Sequence, residues 1–258
     1  KYHNIHIPKG RIPKGTIPKG NNKSRVFLIG NGPSLKDTDL DLIKGEYSIA
    51  MNRISLIYEK TIWRPSYYIF ASSNCVNNVW GKEWTNSVLE SCNNLETTCF
   101  IWDKYYKVIN HKKDKINIEW IKSITEYKPN KTGDMDERWW PDNIEINMDK
   151  SATTMNLALQ LANYMGFSEI IFLGTDLGFT PNQGYNNDQN HFCKNYNIEV
   201  PLEKVNKMNN QMLNIHRLAR LKIPDDVKMY NASLKSTIDI YPRICYEKYI
   251  KENNIKLL

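Results

Sequence analysis

The sequence predicts an α/β fold in which a mostly parallel sheet is flanked by helices and carries an inserted lid or small subdomain. Three observations lead there. Arg25-Val26-Phe27-Leu28-Ile29 and Ile170-Ile171-Phe172-Leu173 are apolar without alternation, as strands buried on both faces are. Each run breaks at once into glycine, at Gly30-Asn31-Gly32-Pro33-Ser34 and at Gly174-Thr175-Asp176. Between them, Met155, Leu157, Ala158, Leu161, Ala162 and Met165 make one face of a helix over 152–165, with Gly166 as its C-cap. Strands alternating with helices require crossover connections, and ligands of such sheets sit beyond the carboxyl ends of the strands.

Residues 1–24 are expected to form an extended basic arm. Ile-Pro-Lys-Gly starts at Ile7, Ile12 and Ile17, and proline at that spacing forbids a helix. The arm reads as a linker or a tail on its own domain, or as a docking element for a partner subunit or an anionic membrane face. It lacks the apolar block and cleavage site of a signal peptide, and a first residue of Lys1 rather than Met is expected of an excised segment.

One domain is expected over 25–258. After the strand at 25–29 come a short helix at 38–44, strands at 47–51 and 67–70, a helix at 78–89 and a strand at 97–102. Residues 103–150 are rich in Lys, Asn, Asp and aromatics without a sustained period, and are assigned to an insertion. Beyond the helix at 152–165 and the strand at 170–173, the polar loop 177–200 is assigned as a lid. A helix at 202–221, a strand at 227–230 and a helix at 241–250 complete the order.

At 258 residues and 41% hydrophobic the chain can bury a sizeable core, and no apolar run approaches the roughly 20 residues that span a bilayer. A net charge of +7 suits an anionic substrate or membrane face. Without a helix-turn-helix, finger or RNP signature, nucleic acid is not an expected partner. Cys75, Cys92, Cys99, Cys193 and Cys245 lack C-x-x-C spacing, as expected of reduced thiols in a cytoplasmic protein with no zinc site.

The glycine turns carry the chemistry. Gly30 and Gly32 have no Cβ, so backbone N–H groups there are expected to approach an anion, with the next helix N-terminus pointing at it. Ser34 and Asp37 have capping-box spacing, and Asn31 offers both a donor and an acceptor. Neither a Walker loop nor the three-glycine dinucleotide fingerprint is present. Asp176 emerges from an apolar strand, where an unpaired carboxylate is costly. Thr153 and Thr154 open the long helix, where hydroxyls serve equally as caps or as phosphate ligands. Tyr185, His191 and Tyr196 lie in the polar loop, and a loop histidine suits a general base. For Mg²⁺, Asp39-Leu40-Asp41 and Asp134-Met135-Asp136 both spell D-x-D.

In order, Gly30-Asn31-Gly32-Pro33-Ser34-Leu35-Lys36, Met51-Asn52-Arg53, and Gly166-Phe167-Ser168-Glu169-Ile170 leading into Gly174-Thr175-Asp176 resemble two groups of proteins. One is the bacterial sialyltransferases that use CMP-N-acetylneuraminate. The other is a 6-hydroxymethylpterin diphosphokinase-like group of surface-polysaccharide gene clusters, which Tyr230-Asn231-Ala232-Ser233 and His191-Phe192 also fit. The first resemblance implies a Rossmann-like domain with a lid that needs no metal. Its donor would be held by Gly30, Asn31, Gly32, Ser34, Asn52, Thr153, Thr154, Gly174 and Asp176. The third-strand asparagine of that family is absent, with Ala71 or Ser72 near its place, and its lid histidine has no counterpart. His191 is therefore taken as the base, with Tyr185 steadying the departing phosphate.

The expected function is transfer of a sugar, an acidic one such as sialic acid, from a CMP-activated donor to a glycan acceptor. Peripheral contact with the inner membrane face and self-association are compatible with it. Two alternatives stand beside it: Mg²⁺-dependent diphosphate transfer from ATP, and a non-catalytic nucleotide-binding module of a surface-glycan assembly complex.

Overall fold

The two apolar runs pair with each other. β1 (Arg25–Ile29) lies parallel to β8 (Glu169–Leu173), with Val26 opposite Ile170 and Ile29 opposite Leu173, all fully buried. A strand with no polar face belongs in the middle of a sheet covered on both sides. The computed structural model describes residues 25–77, 81–109, 116–121, 124–125, 134–144, 146–151, 153–253 and 255, and the Ile-Pro-Lys-Gly arm lies outside them. The remaining strands of the main sheet are β2 (Ser48–Met51), β3 (Tyr67–Phe70), β4 (Thr98–Trp102), β5 (Asn117–Ile121) and β9 (Lys228–Asn231). The order is β5-β4-β3-β2-β1-β8-β9, seven strands with every pairing parallel.

The chain thus winds outward from β1 to β5, then returns to β1's other side at β8. Neighbouring crossovers leave the sheet in opposite directions at that point, which opens a crevice above the carboxyl ends of β1 and β8. The architecture is the Rossmann-like α/β arrangement expected. Short α1 (Ser73–Val76) and longer α2 (Lys82–Cys92) link β3 to β4, and α3 (Tyr106–Ile109) follows β4. A two-stranded parallel sheet joins β6 (Ile124–Thr125) to β7 (Met148–Asp149). The helix α4 (Thr154–Met165) packs on β1, β2 and β3 and against α5 (Leu202–Lys222); α6 (Tyr246–Glu252) comes last.

α4 shows sequence dictating local structure. Thr153 accepts the Met155 N–H at its start, and Gly166 ends it at φ +81°, a conformation that suits a residue without Cβ.

Several boundaries differ from expectation. The helix at 38–44 is instead a 3-10 turn over Leu40–Ile43, capped by the Asp39 side chain. A second 3-10 turn spans Pro33–Asp37 with Gly32 as its cap, so Ser34 makes no capping box. The helix expected at 78–89 is found as α2, with 78–80 outside the described residues. The last helix starts at Tyr246, because residues 242–244 run beside β9: Asn231 N–H donates to Pro242 and Ile244 N–H to Asn231.

The segment assigned to an insertion supplies β5, the outermost strand of the main sheet. An edge strand has only one neighbour and keeps polar positions, so Asn117 and Glu119 hid it in a polar composition. The same segment buries Trp139 completely, its carbonyl accepting from the Asn156 side chain.

All five cysteines are free thiols, and among the described residues no helix is long and apolar enough to cross a membrane.

Candidate active site

The two glycine turns interlock. Gly30 N–H donates to the Leu173 carbonyl at 2.8 Å and Gly32 N–H to the Gly174 carbonyl at 2.7 Å. Ser34 N–H donates to Asp176 Oδ2 at 2.8 Å. A Cβ on Gly30 would collide with the Gly174 carbonyl oxygen, and one on Gly32 with Asp176 Oδ2. These glycines therefore serve close backbone approach. The anion cradle expected of their amides is not formed, because the N–H groups of Gly30, Gly32 and Ser34 are already spent.

What the turns offer a ligand is acceptors. Asn31 Nδ2 donates to the Met51 carbonyl at 3.1 Å, which orients the amide and leaves Oδ1 without a partner. Asp176 Oδ1 is likewise unpartnered, and the two residues are only 7% and 4% exposed. Buried acceptors left unpaired cost free energy that an incoming donor recovers.

Donors come from the neighbouring elements. Asn52 follows β2 at φ +56°, a conformation asparagine tolerates, and its Oδ1 accepts from the Thr154 hydroxyl at 3.0 Å. Its Nδ2 is thereby left to donate. Thr153 accepts through Oγ1 at the helix start, so its hydroxyl hydrogen stays uncommitted. Both lie at the N-terminus of α4, where the helix dipole favours negative charge.

The loop 177–200 lies across this end of the sheet as a strap, held at several points. Asn182 and Val200 form a two-way backbone bridge, and Phe192 N–H donates to the Asn31 carbonyl at 3.0 Å. The buried Arg53 guanidinium donates to Ser87 Oγ on α2 and, through Nη1, to the Asn195 and Tyr196 carbonyls at 3.0 and 2.6 Å. It also lies over the Trp84 and Tyr196 rings. Burial lowers its pKa from the ordinary arginine value.

Within the strap, both Asp188 carboxylate oxygens lie 2.9 Å from His191 Nδ1. The same carboxylate accepts the N–H groups of Asn190 and Ile198. Burial pushes the Asp188 pKa up, but His191 and those amides outweigh it, and the net shift is downward. The His191 ring is stacked on Tyr196 at 3.8 Å. A carboxylate accepting from Nδ1 leaves Nε2 with the lone pair, the form a general base requires.

One cleft of about 500 Å³ gathers these groups: Gly30, Asn31, Gly32, Asn52, Thr153, Thr154, Gly174, Asp176 and His191 all line it. Two expected site residues are not brought there. Ser34 is fully buried beside the turn and does not line the cleft. Tyr185 is 69% exposed on the outer side of the strap, where its hydroxyl donates to Glu83 of α2 at 2.7 Å. Beside it, Asn186 N–H donates to the Asn197 side chain at 2.9 Å.

The D-x-D pairs are also elsewhere. Asp41 holds Thr61 and the Trp63 N–H, and Asp136 holds Arg138. Among the described residues no group of three or more His, Cys, Asp and Glu is arranged to hold a metal ion.

Sequence reasoning missed Asp188, Arg53 and His216. Asp188 stands three residues before His191 in one polar loop, a legible signal. His216 interrupts the apolar Met208 and Met212 stripe of α5 and lines the cleft with them.

No protein-family model matches the sequence, and no curated protein matches it. Among solved structures, the chain is similar to a MAf glycosyltransferase from Magnetospirillum magneticum AMB-1, at 15% identity and a TM-score of 0.51. The likeness covers 96% of this chain and 39% of that one, so this chain spans about two-fifths of that protein's length. At this identity the likeness is one of fold.

Proposed function

We propose that this chain is a glycosyltransferase that moves a sugar from a nucleotide-activated donor to a glycan acceptor, the donor being a CMP-linked acidic sugar. One observation carries the reading. His191, held by Asp188, lines the same cleft as Asn31, Asn52, Thr153, Thr154 and Asp176, at the switch point of a parallel sheet. The fold shared with a MAf glycosyltransferase supports the reaction class, and the motif resemblance supports the CMP-linked acidic donor.

The polarity of the cleft divides the donor. Asn52 Nδ2, the Thr153 hydroxyl and the start of α4 suit the phosphate. Asn31 Oδ1 and Asp176 Oδ1 suit hydroxyl and N–H groups of the nucleoside, since a phosphate beside the Asp176 carboxylate would be repelled. His191 Nε2 removes the proton of the acceptor hydroxyl. The acceptor oxygen bonds the anomeric carbon, the bond from that carbon to the phosphate oxygen breaks, and its electron pair leaves with the nucleoside monophosphate. No step in this reading needs a metal ion.

Thermal unfolding with CMP, CDP, UDP, GDP and ATP, each with and without Mg²⁺, tests it. Saturation about 100-fold above Kd stabilises by about 2.7 kcal/mol, a rise of roughly 5–10 °C for a domain this size. CMP is expected to act alone and without Mg²⁺. A shift confined to ATP with Mg²⁺ would point to diphosphate transfer, and no shift with any nucleotide would sink the reading of the cleft as a nucleotide site.

A further inference from the structure

The cleft holds a second histidine that this chemistry leaves idle. His216 follows Met212 by four residues and Met208 by eight, so the helical repeat sets all three on one face of α5, and all three line the cleft. It is 1% exposed, with the Phe172 ring 5.4 Å away edge-on.

Tyr241 holds one side of the ring. The Tyr241 hydroxyl donates its single hydrogen to the His216 backbone carbonyl at 3.0 Å. The same oxygen lies 3.2 Å from His216 Nδ1. In the tautomer that keeps this hydrogen on the carbonyl, the oxygen accepts from Nδ1 and the lone pair lies on Nε2. The hydrogen bond given for the ring among the described residues is made through Nδ1. Burial lowers the ring's pKa to about 3, so it is neutral and a poor proton acceptor near pH 7.

We infer that His216 is a specificity-determining residue whose Nε2 accepts a hydrogen bond from an O–H or N–H on an uncharged part of the substrate. The inference rests on the reading of the cleft as a nucleotide-sugar site. A purely structural role accounts for Nδ1, which Tyr241 satisfies, and leaves Nε2 as the ring nitrogen for a ligand of the cleft that His216 lines. Asn31 and Asp176 line the same cleft and each keeps one unpartnered oxygen, so a ligand rich in donors would complement this wall. Hydroxyl-rich sugars and amino-bearing bases are such ligands.

Calorimetric titration of the full chain with CMP and with CMP-N-acetylneuraminate tests this, using His216→Phe, which keeps a ring without an acceptor, and His216→Gln, which keeps an acceptor near the position of Nε2. The Phe variant is expected to bind about five- to fiftyfold more weakly, and the Gln variant to recover most of that. A loss already present with CMP puts the donor group on the nucleoside, and a loss only with CMP-N-acetylneuraminate puts it on the sugar. Unchanged binding of both ligands by the Phe variant overturns the inference. Should that variant not fold, Tyr241→Phe, which releases the tautomer, is expected to weaken binding in the same direction, and unchanged binding there counts equally against it. If the wild type binds neither ligand, the nucleotide reading fails. The ring's ¹⁵N shifts in the ligand-free protein then test this inference separately, and a proton on Nε2 overturns it.

Discussion

Asp176 Oδ2 lies 2.8 Å from the backbone nitrogen of Ser34, tying together two turns 142 residues apart in the chain. The space that this carboxylate occupies is the space that a Cβ on Gly32 would take. The two glycine breaks are therefore one unit, built from the ends of adjacent strands.

Gly32→Ala should break that unit. Overpacking of this kind costs about 1–3 kcal/mol, and here the obstacle is a backbone carbonyl and a buried carboxylate rather than a flexible side chain. Urea unfolding should report the loss, and nucleotide-induced stabilisation should vanish with it. Near-native stability would mean that Asp176 swings away at little cost.

His191→Ala should lower kcat by about 10²–10⁴-fold with donor affinity nearly unchanged. Asp188→Asn should lower kcat by less, because an amide can still accept from Nδ1 but carries no charge to favour the protonated ring. Unaltered turnover in His191→Ala would remove it from the mechanism.

Asn52→Asp tests the phosphate side of the cleft. Aspartate tolerates the φ of +56° and still accepts from Thr154, so unliganded stability should hold. A donor becomes a carboxylate, so stabilisation by CMP should disappear. Retained CMP binding would place the phosphate elsewhere.

Arg53→Met should free the strap. It removes the bonds to Ser87 and to the Asn195 and Tyr196 carbonyls, and each hydrogen bond to a charged group contributes about 1.5–3 kcal/mol. Hydrogen exchange at the Phe192 amide should accelerate. An unchanged Phe192 rate would show that the strap is held without Arg53.

Acid stability should carry the signature of His216. Its native pKa of about 3 lies below the unfolded histidine value of about 6.5, so between them the unfolded chain binds more protons and stability falls with falling pH. The slope approaches about 1.4 kcal/mol per pH unit. Asp188, whose native pKa is depressed, stabilises above the unfolded carboxylate value of about 3.9 and adds its loss only as pH falls below that. Urea midpoints between pH 7 and 4 should therefore fall more steeply for wild type than for His216→Phe. Parallel curves would contradict the buried neutral ring.

Much of the frame was legible in the chain itself. Apolar runs without alternation at β1 and β8, the stripe of α4 and the glycine after it are local patterns, and each produced the element expected. β5 was not legible, since an edge strand needs no continuous apolar run. Tyr185 was misread because loop proximity to His191 says nothing about which way a side chain leaves the loop: Tyr185 reaches Glu83.

Sequence alone determined the parallel α/β order and the two turns where a ligand would sit, because burial on both faces and freedom from Cβ are written residue by residue. Tertiary structure decided which atoms remain for a ligand. Every polar group in a packed interior seeks a partner, and the glycine amides, Ser34 and Asn31 Nδ2 find theirs inside the protein. What is left over, Asn52 Nδ2 and the Thr153 hydroxyl on one side and Asn31 Oδ1, Asp176 Oδ1 and His216 Nε2 among the acceptors, follows from that pairing across distant segments, which no single stretch of sequence contains.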